Sequence, residues 1–171
     1  DGGSPLRCAS ANGHANVVSV LVEHKAPLDA VDSGQSTPLH FASLMGHVAV
    51  VQLLTENKAS LDSQCATGDT PLHCASANGH EDVVSVLVEH KASLEAVNNG
   101  RNTPLHIASG KGHVAVVQLL ASRKASLDVQ SDGGVTPLHF ACLRGCMDAA
   151  RALVEHKASL DVLDQNRNTP L

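Results

Sequence analysis

Eleven histidines, five cysteines and seventeen acidic residues stand in a chain of 171 residues, enough to furnish a metal site, a general base or a thiol nucleophile. Their spacing argues against all three. The histidines fall into three sets, His40, His73, His106 and His139, then His14, His47, His80 and His113, then His24, His90 and His156, with members 33 or 66 residues apart. A metal needs three or four ligands converging at bonds of about 2 Å. A residue carried once per structural unit is held roughly 10 Å from its copy, the width of a helix. No metal site and no cofactor is predicted. Each histidine of the first set stands three residues after a Thr, where one ring nitrogen can bond the Thr hydroxyl and the other a turn carbonyl. The second set follows a Gly and is expected to cap the second helix of its unit or the loop before it. The third is expected near a helix end, where the dipole favours it.

The remaining reactive groups repeat as well. Cys8 and Cys74 align with Phe41, Ile107 and Phe140 and read as core fillers. Cys142 takes a small-residue helix position and Cys146 replaces a loop His, which leaves Cys65 as the thiol expected to be exposed. An odd number of cysteines without C-x-x-C spacing fits a reducing, intracellular, cytoplasmic setting. Asp29, Asp62, Glu95, Asp128 and Asp161 each follow a Leu at the end of a loop, and hydrogen bonding within the turn is the expected role. No G-x-S-x-G, P-loop or dinucleotide fingerprint appears, so enzymatic activity is not predicted.

Composition narrows the class. The chain is 43% apolar but has no Trp or Tyr and only Phe41 and Phe140, so its core is read as thin and built from Ala, Val and Leu, with no aromatic stacking platform. Net charge is -5, and the twelve Lys and Arg are scattered, which argues against a nucleic-acid partner. No apolar run approaches the roughly 20 residues of a membrane span. The absence of a starting Met and the incomplete last unit predict a piece of a longer array.

The elements that position these groups follow from one register. Ser4-Pro5-Leu6-Arg7, Thr37-Pro38-Leu39-His40, Thr70-Pro71-Leu72-His73, Thr103-Pro104-Leu105-His106, Thr136-Pro137-Leu138-His139 and Thr169-Pro170-Leu171 recur every 33 residues. The Thr can accept from the unpaired N–H groups of a helix start, and Pro suits its first turn. In the second unit a first helix is predicted over residues 38–45, ended by Gly46, and a second over 48–57 with Val51, Leu54 and Thr55 on its inner side. A turn or hairpin then leads to the next unit. Helices this short are marginal alone in water, so each pair must bury its face on its neighbours. Ala9, Ala42, Ala75, Ala108 and Ala141 allow close approach, and Leu21, Leu54, Leu87, Leu120 and Leu153 fill the spaces. A longer period of 66 is also present. Residues 8–31 match 74–97 at all but four positions, and 46–54 are identical to 112–120.

This pattern, Thr-Pro-Leu-His with Gly-His six residues after the His, resembles the ankyrin repeat over the whole chain. The resemblance implies an all-α repeat solenoid, a stack of antiparallel helix pairs joined by β-turn or hairpin loops. The repeats run approximately 1–33, 34–66, 67–99, 100–132 and 133–165, with a sixth beginning at 166–171. The family's first histidine is a structural bridge. Lys25, Lys58, Lys91, Lys124 and Lys157 stand where the family usually has Gly, so either all five take positive φ or the second helix ends differently.

Partners of such stacks dock on a concave surface made by hairpin tips and the exposed side of the first helix. Carried over residue by residue, the resemblance implies Ser36, Leu44, Met45, Asp69, Asn78, Arg101, Asn102, Lys111, Val135 and Arg144 as partner-binding residues. They are small and apolar around repeat two and basic toward repeats four and five. The function implied is a non-enzymatic interaction scaffold or adaptor, monomeric, binding another protein or peptide, with neither nucleic-acid binding nor membrane insertion. The alternative is a spacer or autoinhibitory array within a larger signalling protein or enzyme.

Overall fold

The structure, a computed structural model, describes residues 4–170. Among the described residues are ten α-helices and no strand: α1 (Pro5–Ala11), α2 (Ala15–Glu23), α3 (Pro38–Leu44), α4 (Val48–Glu56), α5 (Pro71–Asn78), α6 (Glu81–Glu89), α7 (Pro104–Lys111), α8 (Val114–Ser122), α9 (Pro137–Leu143) and α10 (Met147–Glu155). The chain divides into two compact units, one ending at Ser93 and one beginning at Leu94. In the first, α1, α3 and α5 pack in order, each paired with α2, α4 or α6, which also follow one another. In the second, α7 packs on α9 and α8 on α10, with α7 paired to α8 and α9 to α10. The stack of helix pairs read from the sequence is what is found, and the spans expected at 38–45 and 48–57 are Pro38–Leu44 and Val48–Glu56. Leu171 lies outside the described residues, and Thr169 and Pro170 are not helical.

Local chemistry accounts for the start of the first helix in repeats two to five. Thr37, Thr70, Thr103 and Thr136 are N-caps whose hydroxyls accept from the backbone N–H three residues on, and Pro follows each directly. The histidine at that third position closes a reciprocal box. Thr37 N–H donates to His40 Nδ1 at 3.1 Å, which fixes the proton on Nε2. That N–H then donates to the Asp69 carbonyl of the next repeat at 3.0 Å. His106 reaches Val135 O at 3.1 Å and His139 reaches Asn168 O at 3.2 Å in the same way, as the sequence predicts. Burial holds the His40 pKa below its ordinary value, because the charged ring would lose its hydration.

The core is thin and aliphatic. Leu39, Leu72, Leu105 and Leu138 are sealed, with Ala42, Ala75, Ala108 and Ala141 beside them and Leu54, Leu87, Leu120 and Leu153 between the helix pairs. Leu21, at the last of these positions in repeat one, is only half-buried. All five lysines after the second helix of each pair have positive φ, from 60° at Lys25 to 75° at Lys91. Gln35, Arg101 and Arg167 do so too, at the hairpin-tip position where Gly68 and Gly134 stand.

Several expectations need correction. His47 and His80 sit at the N-cap positions of α4 and α6 but make no capping bond there. Their Nε2 donates backwards instead, to Ala11 O at 3.1 Å and Leu44 O at 3.0 Å, and so closes the C-terminal end of the preceding repeat's first helix. Gly46 makes room for this as well as supplying φ 75°, since a Cβ there would meet His80 Nδ1 at 2.7 Å. The loop carboxylates do not serve their own turns. Asp29 accepts from Ser60 N–H, Asp62 from Ser93, Glu95 from Ser126 and Asp128 from Ser159, at 2.8 to 2.9 Å, each reaching 31 residues ahead. The third histidine set lies at helix ends as expected, by direct bonding: His24 Nδ1 donates to Val20 O at 2.8 Å and His90 Nδ1 to Val86 O at 2.9 Å.

The cysteines are also placed differently. Cys8 is exposed and Cys74 half-buried, as are Phe41, Ile107 and Phe140, so this position is not core. The buried face of α3 is Leu39, Ala42 and Ser43, and residue 41 falls off it by helical spacing. Cys65, expected exposed, is half-buried with its Sγ 3.1 Å from Thr67 Oγ1.

Candidate functional site

The outer face of each first helix carries three residues at i, i+3 and i+4, one helical stripe. In the first unit these are Cys8, Ala11 and Asn12 on α1 and its cap, Phe41, Leu44 and Met45 on α3 and its cap, and Cys74, Ala77 and Asn78 on α5. In the second they are Ile107, Gly110 and Lys111 on α7, and Phe140, Leu143 and Arg144 on α9 and its cap. The hairpins before α3, α5, α7 and α9 are each closed at the base by a backbone bond, as from Cys65 N–H to Asp69 O and from Ser131 N–H to Val135 O. Tips are tied forward by another, Ala66 N–H to Gly34 O and Asp132 N–H to Gly100 O.

Within the first unit, Leu44 is 37% and Met45 52% exposed, two large apolar side chains side by side at the end of α3. The Arg7 guanidinium lies 5.1 Å from the centre of the Phe41 ring and 3.9 Å from Asp32. Other residues of the predicted set are engaged internally. Ser36 N–H donates to Asp32 Oδ1, Asp69 accepts from Thr67 through Oδ2 and from His40 through its carbonyl, and the Asn78 amide donates to Cys74 O at 2.9 Å. The Cys74 thiol on this face is pushed up to about 12 by burial, with Asp69 adding to the effect, so it carries little thiolate and is a poor nucleophile.

Within the second unit a hollow of about 260 Å³ opens between hairpins and helix. Gly100, Asn102, Ser131, Asp132 and Val135 line it from the hairpins, and Phe140, Leu143 and Arg144 from α9. The Phe140 ring packs edge-on to His106, with centroids 5.5 Å apart, and against α7 at Gly110, where a Cβ would stand 2.9 Å from its Cδ1. Leu143 is 76% exposed. Three predicted residues, Asn102, Val135 and Arg144, meet here. Arg101 lines a separate hollow with Gln130, Asp164 and Gln165 that shares only Ser131 and Asp132 with the first, and Lys111 is exposed at the end of α7. Phe140, Leu143 and Asp132 were not in the predicted set. The i, i+3, i+4 relation of Phe140 and Leu143 to Arg144 is the signal that marks the first two; nothing in the sequence marks Asp132.

Among the described residues no three His, Cys, Asp or Glu groups gather where a metal ion could be held, and no helix is long and apolar enough to cross a membrane. The surface offers shape, apolar area and charge.

The comparisons with known proteins agree with this geometry. The sequence model described as "Ankyrin repeats (3 copies)" matches residues 1–65 and 57–131, and "Ankyrin repeats (many copies)" matches 120–171. Among solved structures, that of the human ASB11 ankyrin repeat domain is similar, at 31% identity and a TM-score of 0.88 over 98% of this chain and 75% of that one. No curated protein sequence matches the chain.

Proposed function

The chain belongs to the ankyrin repeat family, whose members are protein-interaction modules, and from that premise we propose that it is a non-enzymatic scaffold that docks another protein on the surface formed by its hairpin tips and first helices. One array spans residues 1–171, with the repeat bounds given above. It is monomeric and intracellular, its partner is a protein or peptide and not a nucleic acid, and Ser36, Leu44, Met45, Asp69, Asn78, Arg101, Asn102, Lys111, Val135 and Arg144 form its contact surface. The observation that carries this reading is the placement of exposed Leu44, Met45 and Leu143 on the stripe of the first helices. Packing leaves that stripe uncovered within each unit, and exposed apolar area with no structural benefit marks a binding surface. A rigid stack also loses little conformational entropy on docking.

The test is a partner isolated with the chain as bait, then measured against variants. Leu44→Ala with Met45→Ala should weaken it by about tenfold or more, since truncating an anchor costs roughly 1 to 4 kcal/mol. Gln52→Ala with Gln118→Ala, exposed on the second helices, should do little. The opposite ranking places the function on the other face, and a chain that retains no partner acts as a spacer.

A further inference from the structure

We propose that the hollow bordered by Leu143 receives one large apolar side chain of an extended partner segment, and that Arg144 at its rim takes a carboxylate from a neighbouring residue of that segment. The inference rests on the docking reading above and adds the chemistry of the partner. The hollow is small, about 260 Å³ against the roughly 300 to 1,000 Å³ of small-molecule sites, a size that suits a single side chain. Val135, Phe140 and Leu143 give it an apolar lining. That lining exists because Gly110 carries no side chain and the Phe140 ring packs against α7 there. Leu44 occupies the corresponding position in repeat two.

Charge sets the rest. The chain before residue 94 holds ten acidic and four basic residues, whereas the remainder holds seven and eight. An acidic segment is therefore repelled by the first unit and not by the near-neutral second. Arg144 is exposed and, among the described residues, makes no side-chain ion pair or hydrogen bond. Across the hollow Asp132, on the hairpin, repels a carboxylate from that wall. The acid must consequently lie on the α9 side of the anchor. In an extended chain the two groups sit at next-but-one positions, because adjacent side chains point to opposite faces.

The probe is a phage-displayed library of random peptides, selected on the intact chain and then screened for binding to the Leu143→Ser, Arg144→Glu double variant. Both positions are exposed, so the variant keeps its fold, which circular dichroism checks. Enriched peptides should carry Leu, Ile, Phe or Met two residues from Asp or Glu. A synthetic peptide of that sequence should lose about tenfold or more in affinity with Leu143→Ser. With Arg144→Glu it should lose as much at low salt and much less at about 0.5 M. Enrichment without the apolar-acidic pattern, or no enrichment at all, overturns the proposal. Peptides indifferent to the double variant but lost with Leu44→Ala and Met45→Ala overturn it while sparing the docking surface. Peptides lost only with Gln52→Ala and Gln118→Ala overturn both.

Discussion

Protonating His40 would set a second hydrogen on Nδ1 against the Thr37 N–H that already points at it. Burial resists this charge, so the folded pKa lies below the ordinary 6.5. Above that value the ring is neutral in folded and unfolded chains alike. Below it the unfolded chain takes up a proton that folded His40 refuses, so stability is lost as pH falls from about 6.5 toward the lower folded value. Urea midpoints at about pH 7.5 and about pH 5.5 should differ more for the native chain than for His40→Gln, which itself should cost about 1 to 3 kcal/mol through the orphaned Asp69 carbonyl. The lysines offer the converse case. At φ 70° Lys58 bears a left-handed strain of about 1 kcal/mol. Lys58→Gly should therefore raise stability by about 0.5 kcal/mol after the extra freedom of the unfolded chain is offset, seen as a higher melting temperature. This conflict was legible in the sequence, because Lys stands five times where a left-handed residue is wanted. The work of the carboxylates was not, since Leu-Asp at a loop end reads the same whether the acid bonds its own turn or Ser60 of the next repeat.

Helix starts and stops were legible because each is written in a residue with one conformational use: Thr before Pro for the start, Gly46 for the stop. What lay hidden were the ties that leave a helix pair for its neighbour, as His47 and His80 make. Repeat five lacks this tie. Cys146 occupies the same N-cap geometry, φ -81° against -80° for His80, but its Sγ stands 3.6 Å from Gly110 O, a weak contact. Cys146→His should therefore bond that carbonyl and stabilise α9 and α10 by about 1 kcal/mol, visible as slower hydrogen exchange in those two helices. Conversely Asp62→Ala should cost about 1 kcal/mol, because Ser93 N–H loses its acceptor. Asp62→Asn, which keeps an oxygen there, should cost less.

At the scale of the molecule, the net charge of -5 conceals an acidic first unit and a near-neutral second, a division present in the sequence but averaged out of its total. The stripe of the first helices was half legible. The residue just before the Gly stands out in repeats two to five, as Met45, Asn78, Lys111 and Arg144, and the one before that only as Leu44, whereas Phe140 aligns with apolar residues and reads as core. The hollow could not be read at all, for it depends on Phe140 packing at Gly110, a contact between repeats. If an acidic partner docks at Arg144, association should slow steeply with salt while dissociation changes little, a pattern stopped-flow mixing at two ionic strengths would reveal. The forward ties bear on the history of the chain as well. His40 reaches 29 residues ahead and Asp29 reaches 31, while His47 reaches 36 back. All three distances are counted from a common register of 33. Unequal recombination that inserts or removes 66 residues thus presents each new junction with the same donors and acceptors as the old. Glu95, in the duplicated copy of Asp29, still holds Ser126 at 2.8 Å. Array length can drift by whole blocks with every tie kept in register, while a slip of a single residue would break the ties that span it.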